Sequence, residues 1–238
     1  MDTVALSPAD ILVERLAGIT SEFQNVVFAS SLGAEDMVLA DAILSRGLPI
    51  AIFSLDTGRL PSETLDLLVR VRNRYGYDIE VVRPQAAAVG RYVAEHGLNA
   101  MYESVELRKR CCHLRKVEPL KRALAGRDAW ITGLRRAQSV TRTELPLRER
   151  DHTHGLTKFN PLADWSEAEI WDYIRSRDVP YNALHDRGYP SIGCEPCTRA
   201  IRPGEDVRAG RWWWEQKDSK ECGLHVAAAV PAGKGRTK

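Results

Sequence analysis

The chain has 238 residues, 44% of them hydrophobic, with 34 Lys and Arg against 32 Asp and Glu and a net charge of +2. That length supports one substantial α/β core or two small domains. The near balance of charge excludes the basic excess that drives sequence-independent binding to nucleic acid, so any anion must be bound locally. No stretch approaches the roughly 18–20 apolar residues that span a bilayer, and the N-terminal residues lack the apolar core of a signal peptide. A cytoplasmic protein without a membrane or nucleic-acid partner is expected.

Ser7-Pro8 opens an amphipathic helix over residues 8–24, and Val26-Val27-Phe28-Ala29 is an apolar run suited to a buried strand. A polar turn, Ser30-Ser31-Leu32-Gly33, leads into helical spacing over residues 35–46. Residues 49–55 (PIAIFSL) make a second buried strand, and Pro61 sits where a first helical turn tolerates it. A third unit follows, with residues 77–82 strand-like and residues 86–95 and 105–124 helical. Ala129-Trp130-Ile131-Thr132 is a further strand ending at Gly133, and Ser166-Glu167-Ala168-Glu169 is a capping box for a helix reaching about residue 177.

This alternation predicts an α/β fold: a mostly parallel sheet with helices on both faces. Ligands of such folds bind beyond the carboxyl ends of the strands. Three polar turns stand at such ends: residues 30–36, Asp56-Thr57-Gly58-Arg59, and Gly133-Leu134-Arg135-Arg136. Residues 186–211 are rich in Gly, Pro and Arg, so the C-terminal part is expected to be a mobile segment. The division anticipated is a main domain over 1–205 and a C-terminal segment over 206–238.

The five cysteines fall into an adjacent pair, a CxxC and one distal residue, a grouping that suggests metal binding plus reactivity and not a disulfide framework. Cys111 and Cys112 lie among Arg108, Lys109, Arg110, Arg115 and Lys116. With Cys194 and Cys197 they offer four thiolates, a set that suits zinc or an iron–sulfur cluster. Dense positive charge around four anionic ligands tilts the choice toward iron. His152 and His154 look like a metal pair but lack a third ligand.

The turn Ser31-x-Gly33-x-Glu35-Asp36 offers hydroxyls, backbone N–H groups and a helix end to an anion. It resembles the PP-loop of adenine nucleotide α-hydrolase-like enzymes. Leu55-Asp56-Thr57-Gly58 resembles the second nucleotide-contacting turn of those enzymes. Taken with Cys111-Cys112, Thr132-Gly133-Leu134-Arg135-Arg136, Asn160-Pro161-Leu162, the CxxC and Glu221-Cys222-Gly223-Leu224-His225, the chain resembles the phosphoadenylyl-sulfate reductase family. The paired cysteines mark its cluster-containing branch, which prefers adenosine 5′-phosphosulfate.

That resemblance implies thioredoxin-dependent reduction of adenosine 5′-phosphosulfate to sulfite and AMP, in sulfate assimilation and cysteine biosynthesis. It implies a [4Fe-4S] cluster on Cys111, Cys112, Cys194 and Cys197, and Cys222 as the nucleophile that becomes an S-sulfocysteine. Thioredoxin, or a glutaredoxin-like reductant, would discharge it, and a homo-oligomer is left open. The substrate residues implied are Ser30, Ser31, Gly33, Asp56, Gly58, Lys116, Gly133, Arg136, Arg208, Arg211 and His225. Lys116, one helical turn after Cys112, is placed to bridge thiolates and sulfate. Trp212-Trp213-Trp214 cannot share one face, and the expectation is an anchor with at least one ring in the core. Three alternatives stay open: a reductase taking the 3′-phosphorylated nucleotide, a tRNA-thiolating PP-loop ATPase, and a zinc-binding nucleotide sensor.

Overall fold

The computed structural model describes residues 6–138 and 144–216. Helix α1 (Pro8–Glu22) starts at a Ser7–Asp10 capping box and leads into β1 (Val26–Ser30). Then come α2 (Ala34–Ser45), β2 (Ala51–Leu55), α3 (Ser62–Tyr75), β3 (Glu80–Val82) and α4 (Ala86–His96). Helix α5 (Val105–Cys112) passes through a π turn (His113–Val117) into α6 (Glu118–Leu124), followed by β4 (Ala129–Ile131). A hairpin of β5 (Arg148–Asp151) and β6 (Leu156–Phe159) precedes α7 (Glu167–Ser176), which opens on a Ser166–Glu169 capping box.

The six strands form one sheet in the order β3-β2-β1-β4-β6-β5, with only β5 antiparallel to its neighbour. Alternate residues of the central strands face opposite layers, as a pleated strand requires. Phe28, Ile52 and Ile131 pack with α1, α2, α3 and α7 in the larger core, while Val27, Phe53 and Trp130 pack with Leu120 and Leu124 of α6. Each such buried side chain contributes on the order of 1.5–3 kcal/mol. The chain order reverses between β1 and β4, so a crevice opens beyond Ser30 and Ile131, where open α/β sheets hold their ligands.

Two features differ from the sequence expectation. The helix foreseen over 105–124 is broken by the π turn directly after Cys112. The hairpin was not foreseen, because Arg148–Asp151 carries four charged side chains and no apolar face; its outer strand is a half-exposed edge. There His154 Nδ1 bonds Asp151 Oδ2 at 2.7 Å, giving that histidine a carboxylate partner. Within residues 206–216, the described part of the C-terminal segment, Arg211 forms an antiparallel bridge with Thr198, and Trp212 is buried against Cys194, Cys197 and Met101.

Candidate active site

The crevice opens into a cavity of 680 Å³, within the usual size of small-molecule sites. Its floor is the turn after β1. Asp36, on the first turn of α2, is buried, and its Oδ2 accepts from Ser31 N at 2.5 Å and Ser31 Oγ at 2.6 Å. Burial pushes the Asp36 carboxyl up to about 6 even though the Ser31 donors oppose the shift. Gly133, after β4, lies so close that a Cβ there would overlap the Asp36 carboxylate. Beside it Arg135 donates from Nε and Nη2 to Glu35 Oε1 at 2.8 and 2.7 Å. This end of the cavity therefore satisfies its charges internally, and the Ser31 donors, expected to meet an anion, already serve Asp36.

Ser31, Gly33, Lys116, Gly133, Arg208 and Arg211 of the expected substrate residues line this cavity. Ser30 borders an adjoining pocket of 110 Å³ walled by Phe53, Leu55, Leu60, Leu120 and Trp130, a size and polarity suited to a flat apolar ring edge. Asp56 and Gly58 are not among the lining residues. Asp56 instead shapes its turn, accepting from Gly58 N at 2.9 Å and Arg83 Nε at 3.0 Å. Arg136 does not line the cavity either: its Nε donates to the Leu145 carbonyl at 2.8 Å, and its neighbour Arg135 points inward instead.

The four expected ligand cysteines come from two distant stretches and border one small cavity with Arg59, Met101, Arg108, Arg115, Lys116 and Pro196. Three of them are buried and Cys111 is half-buried. The turn after β2 reaches into the group, for Thr57 Oγ1 lies 3.2 Å from Cys194 Sγ and Arg115 Nη1 donates to Thr57 O at 2.7 Å. Glu195 N donates to Arg59 O at 2.8 Å, pinning the CxxC loop to that same turn. Burial raises the Cys194 thiol, but Lys116, the Thr57 hydroxyl, Arg211 and Arg115 outweigh it and hold the thiol below its ordinary value. Cys197 is pushed up to about 12 by burial and by the neighbouring Cys194 and Cys112. Burial likewise raises Cys111. Positive charge thus acts most strongly on Cys194 among the four thiols. Among the described residues, no three His, Cys, Asp or Glu side chains are spaced to hold a single metal ion.

Lys116 borders all three cavities. A π turn closes i→i+5 rings. Cys111 therefore shares a face with Lys116 across this segment as Cys112 does at ordinary helical spacing. On the opposite wall Arg211 Nη1 donates to Ile192 O at 3.2 Å, and Gly193 has no room for a Cβ beneath the Arg211 guanidinium. Cys222 and His225 lie outside the described residues. Thr57, Arg59, Arg115 and Arg135 were not singled out from the sequence as site residues. For Thr57, Arg59 and Arg135 the available signal was position, each lying in one of the three strand-end turns.

Comparison with known proteins identifies the family. The model of the phosphoadenosine phosphosulfate reductase domain matches residues 25–200. The adenosine 5′-phosphosulfate reductase of Burkholderia cepacia is 67% identical over 216 residues, covering 91% of this chain and 86% of that protein. That of Allochromatium vinosum is 61% identical over 219 residues, covering 92% and 86%. The phosphoadenylyl-sulfate reductase of Candida auris, solved as a phosphate complex, superposes with a TM-score of 0.67 at 29% identity, covering 82% of this chain and 98% of that one. Yeast FAD synthetase, at TM-score 0.56 and 12% identity over 84% of this chain and 70% of that one, shares the fold. The chain belongs to the phosphoadenosine phosphosulfate reductase family. It is an oxidoreductase of that family. Among the described residues no helix is long and apolar enough to cross a membrane.

Proposed function

We propose that the protein reduces adenosine 5′-phosphosulfate to sulfite and AMP, with Cys222 as nucleophile and a [4Fe-4S] cluster on Cys111, Cys112, Cys194 and Cys197. The observation that carries this reading is the position of Lys116, a cation shared by the nucleotide cavity and the thiol cavity. A sulfonucleotide with its ring in the Leu55–Trp130 pocket and its phosphosulfate toward Lys116, Arg208 and Arg211 spans the two. The four thiols fit the cluster. They surround one cavity in a field of cations, a donor set that suits such a cluster. When bound, the cluster sets a polynuclear metal charge beside the sulfate end of the site.

The chain's own residues account for the remaining steps. Lys116 and Arg211 offset the negative charge of the phosphosulfate oxygens. The Cys222 thiolate attacks the sulfate sulfur, the sulfur–oxygen bond to phosphate breaks, and AMP departs with that electron pair. This leaves Cys222 as an S-sulfonate. A thiolate of thioredoxin, or of a glutaredoxin-like protein, then attacks Cys222 Sγ and expels sulfite, and the second thiol of the reductant resolves the mixed disulfide. The two electrons come from that dithiol. The activity serves sulfate assimilation and cysteine biosynthesis in the cytoplasm.

The test is a single turnover without reductant. Native enzyme with sulfur-labelled adenosine 5′-phosphosulfate should release one AMP per chain and keep the label, and reduced thioredoxin should discharge it as sulfite. Cys222→Ser should bind nucleotide yet take no label; a serine variant that still made sulfite at the native rate would overturn the mechanism.

A further inference from the structure

Behind the wall of cysteines lies an ion pair with no part in the steps above. Arg108, on α5 one turn before Cys112, is fully buried, and the Glu215 side chain is 3% exposed. The two meet as a fork: Arg108 Nε to Glu215 Oε1 and Nη2 to Oε2, both at 2.8 Å. The Arg108 guanidinium also lies 4.7 Å from the Trp212 ring, as does that of Arg211. Trp212 is 1% exposed and has φ 42°, a left-handed conformation that a bulky side chain keeps only when its surroundings impose it. Trp212 N donates to Cys197 O at 3.1 Å, and Glu215 N to Trp212 O at 2.9 Å. One turn thus carries Arg211 into the nucleotide cavity, presses Trp212 on the thiols and ends in the carboxylate that Arg108 grips.

We infer that Arg108 and Glu215 are a positioning pair, which locks the turn over residues 211–215 to the cysteine-bearing helix and thereby sets Arg211 against the phosphate end of the nucleotide. A buried, forked pair fixes geometry more than it adds net stability, because both ions lose hydration. Losing one partner removes the fork that ties the turn to the helix, and the turn shifts away from α5. The strained Trp212 backbone relaxes in the same movement and draws Arg211 off its ledge at Ile192 and Gly193. The pair therefore governs how strongly the phosphate, and not the adenosine, is held. This rests on the reading of Arg211 as a phosphosulfate ligand.

The experiment compares AMP with adenosine by calorimetry on iron-loaded protein. Glu215→Gln should weaken AMP by about tenfold while adenosine changes by less than about twofold, a coupling of the size met within one side-chain network. Its iron content should stay native. Arg108→Lys keeps the charge but loses the fork, and should show a smaller loss with the same selectivity for the phosphate. In an Arg211→Ala background Glu215→Gln should cost AMP nothing further. If Arg211→Ala itself leaves AMP binding untouched, the assignment of Arg211 is wrong. If Arg211→Ala weakens AMP but neither Glu215→Gln nor Arg108→Lys does, or if AMP and adenosine weaken alike, the positioning role is overturned.

Discussion

The large cavity at its α2 end and the thiol cavity beside it are built on opposite electrostatic plans. At the α2 end every charge has an internal partner: Asp36 takes the Ser31 donors, and Glu35 takes Arg135. At the thiol end Arg59, Arg108, Arg115 and Lys116 border the cavity that the four cysteines share, with Glu215 joined to Arg108 behind it. The lesson is one of direction. A ligand with an uncharged ring and an anionic tail gains nothing by putting that tail near α2, where two carboxylates already sit, and gains most by extending it toward Lys116.

The largest test of this contrast is at the thiols. Cys194→Ser removes the thiol on which Lys116, Arg211 and Arg115 act, and under the proposed ligand set the variant, purified anaerobically, should lose the visible absorbance and the roughly four irons of a [4Fe-4S] site. Full iron in that variant would break the assignment. Next comes Lys116→Ala, which should lower turnover by about a hundredfold or more while the AMP dissociation constant moves by less than about threefold, because AMP lacks the sulfate. Equal losses in both would place the sulfate elsewhere.

Smaller effects belong to the self-satisfied end. Gly133→Ala forces a Cβ into the Asp36 carboxylate and should cost about 1–3 kcal/mol of stability by urea unfolding, with weaker AMP binding. An unchanged midpoint would show that the turn relaxes freely. The smallest effect is a pH dependence. Asp36 has a folded value of about 6 against 3.8 ordinarily, so the folded protein holds a proton that the unfolded chain releases in that interval. Stability therefore falls as pH rises through the window, by at most about 3 kcal/mol. Asp36→Asn lacks this term, and its advantage over the native protein should grow between about pH 4 and pH 7. Parallel stability curves would mean that Asp36 ionises as an ordinary surface carboxylate.

The same contrast explains what the sequence made legible. Strands β1, β2 and β4 are buried on both faces and so read as apolar runs, and the capping boxes at Ser7 and Ser166 announce α1's and α7's starts. Strand β5 gave no such signal, for its residues are charged and held by partners such as Arg148 with Glu22, 126 residues away. At the site, the cysteines and Lys116 were readable because thiol spacing and helix period are local properties. Arg108 with Glu215, and Thr57 with Cys194, are separated by 107 and 137 residues, and nothing near either partner names the other. Arg136 is implied by the family resemblance alone, whereas it is the backbone that turns Arg135 toward Glu35 and Arg136 toward the Leu145 carbonyl.

The π turn at His113–Val117 acts as a phase shifter in an otherwise continuous rod. Along an unbroken α-helix, residues four apart drift by about 40° at each step, so Cys112, Lys116, Leu120 and Leu124 would spiral away from one another. One residue more in the middle resets the drift by about 100°, and a segment that packs Leu120 and Leu124 beneath the sheet still delivers its thiols and its lysine to the cavity rim. Excising Leu114 would delete none of the site side chains, yet it would put the cysteine-bearing half and the sheet-packing half out of step.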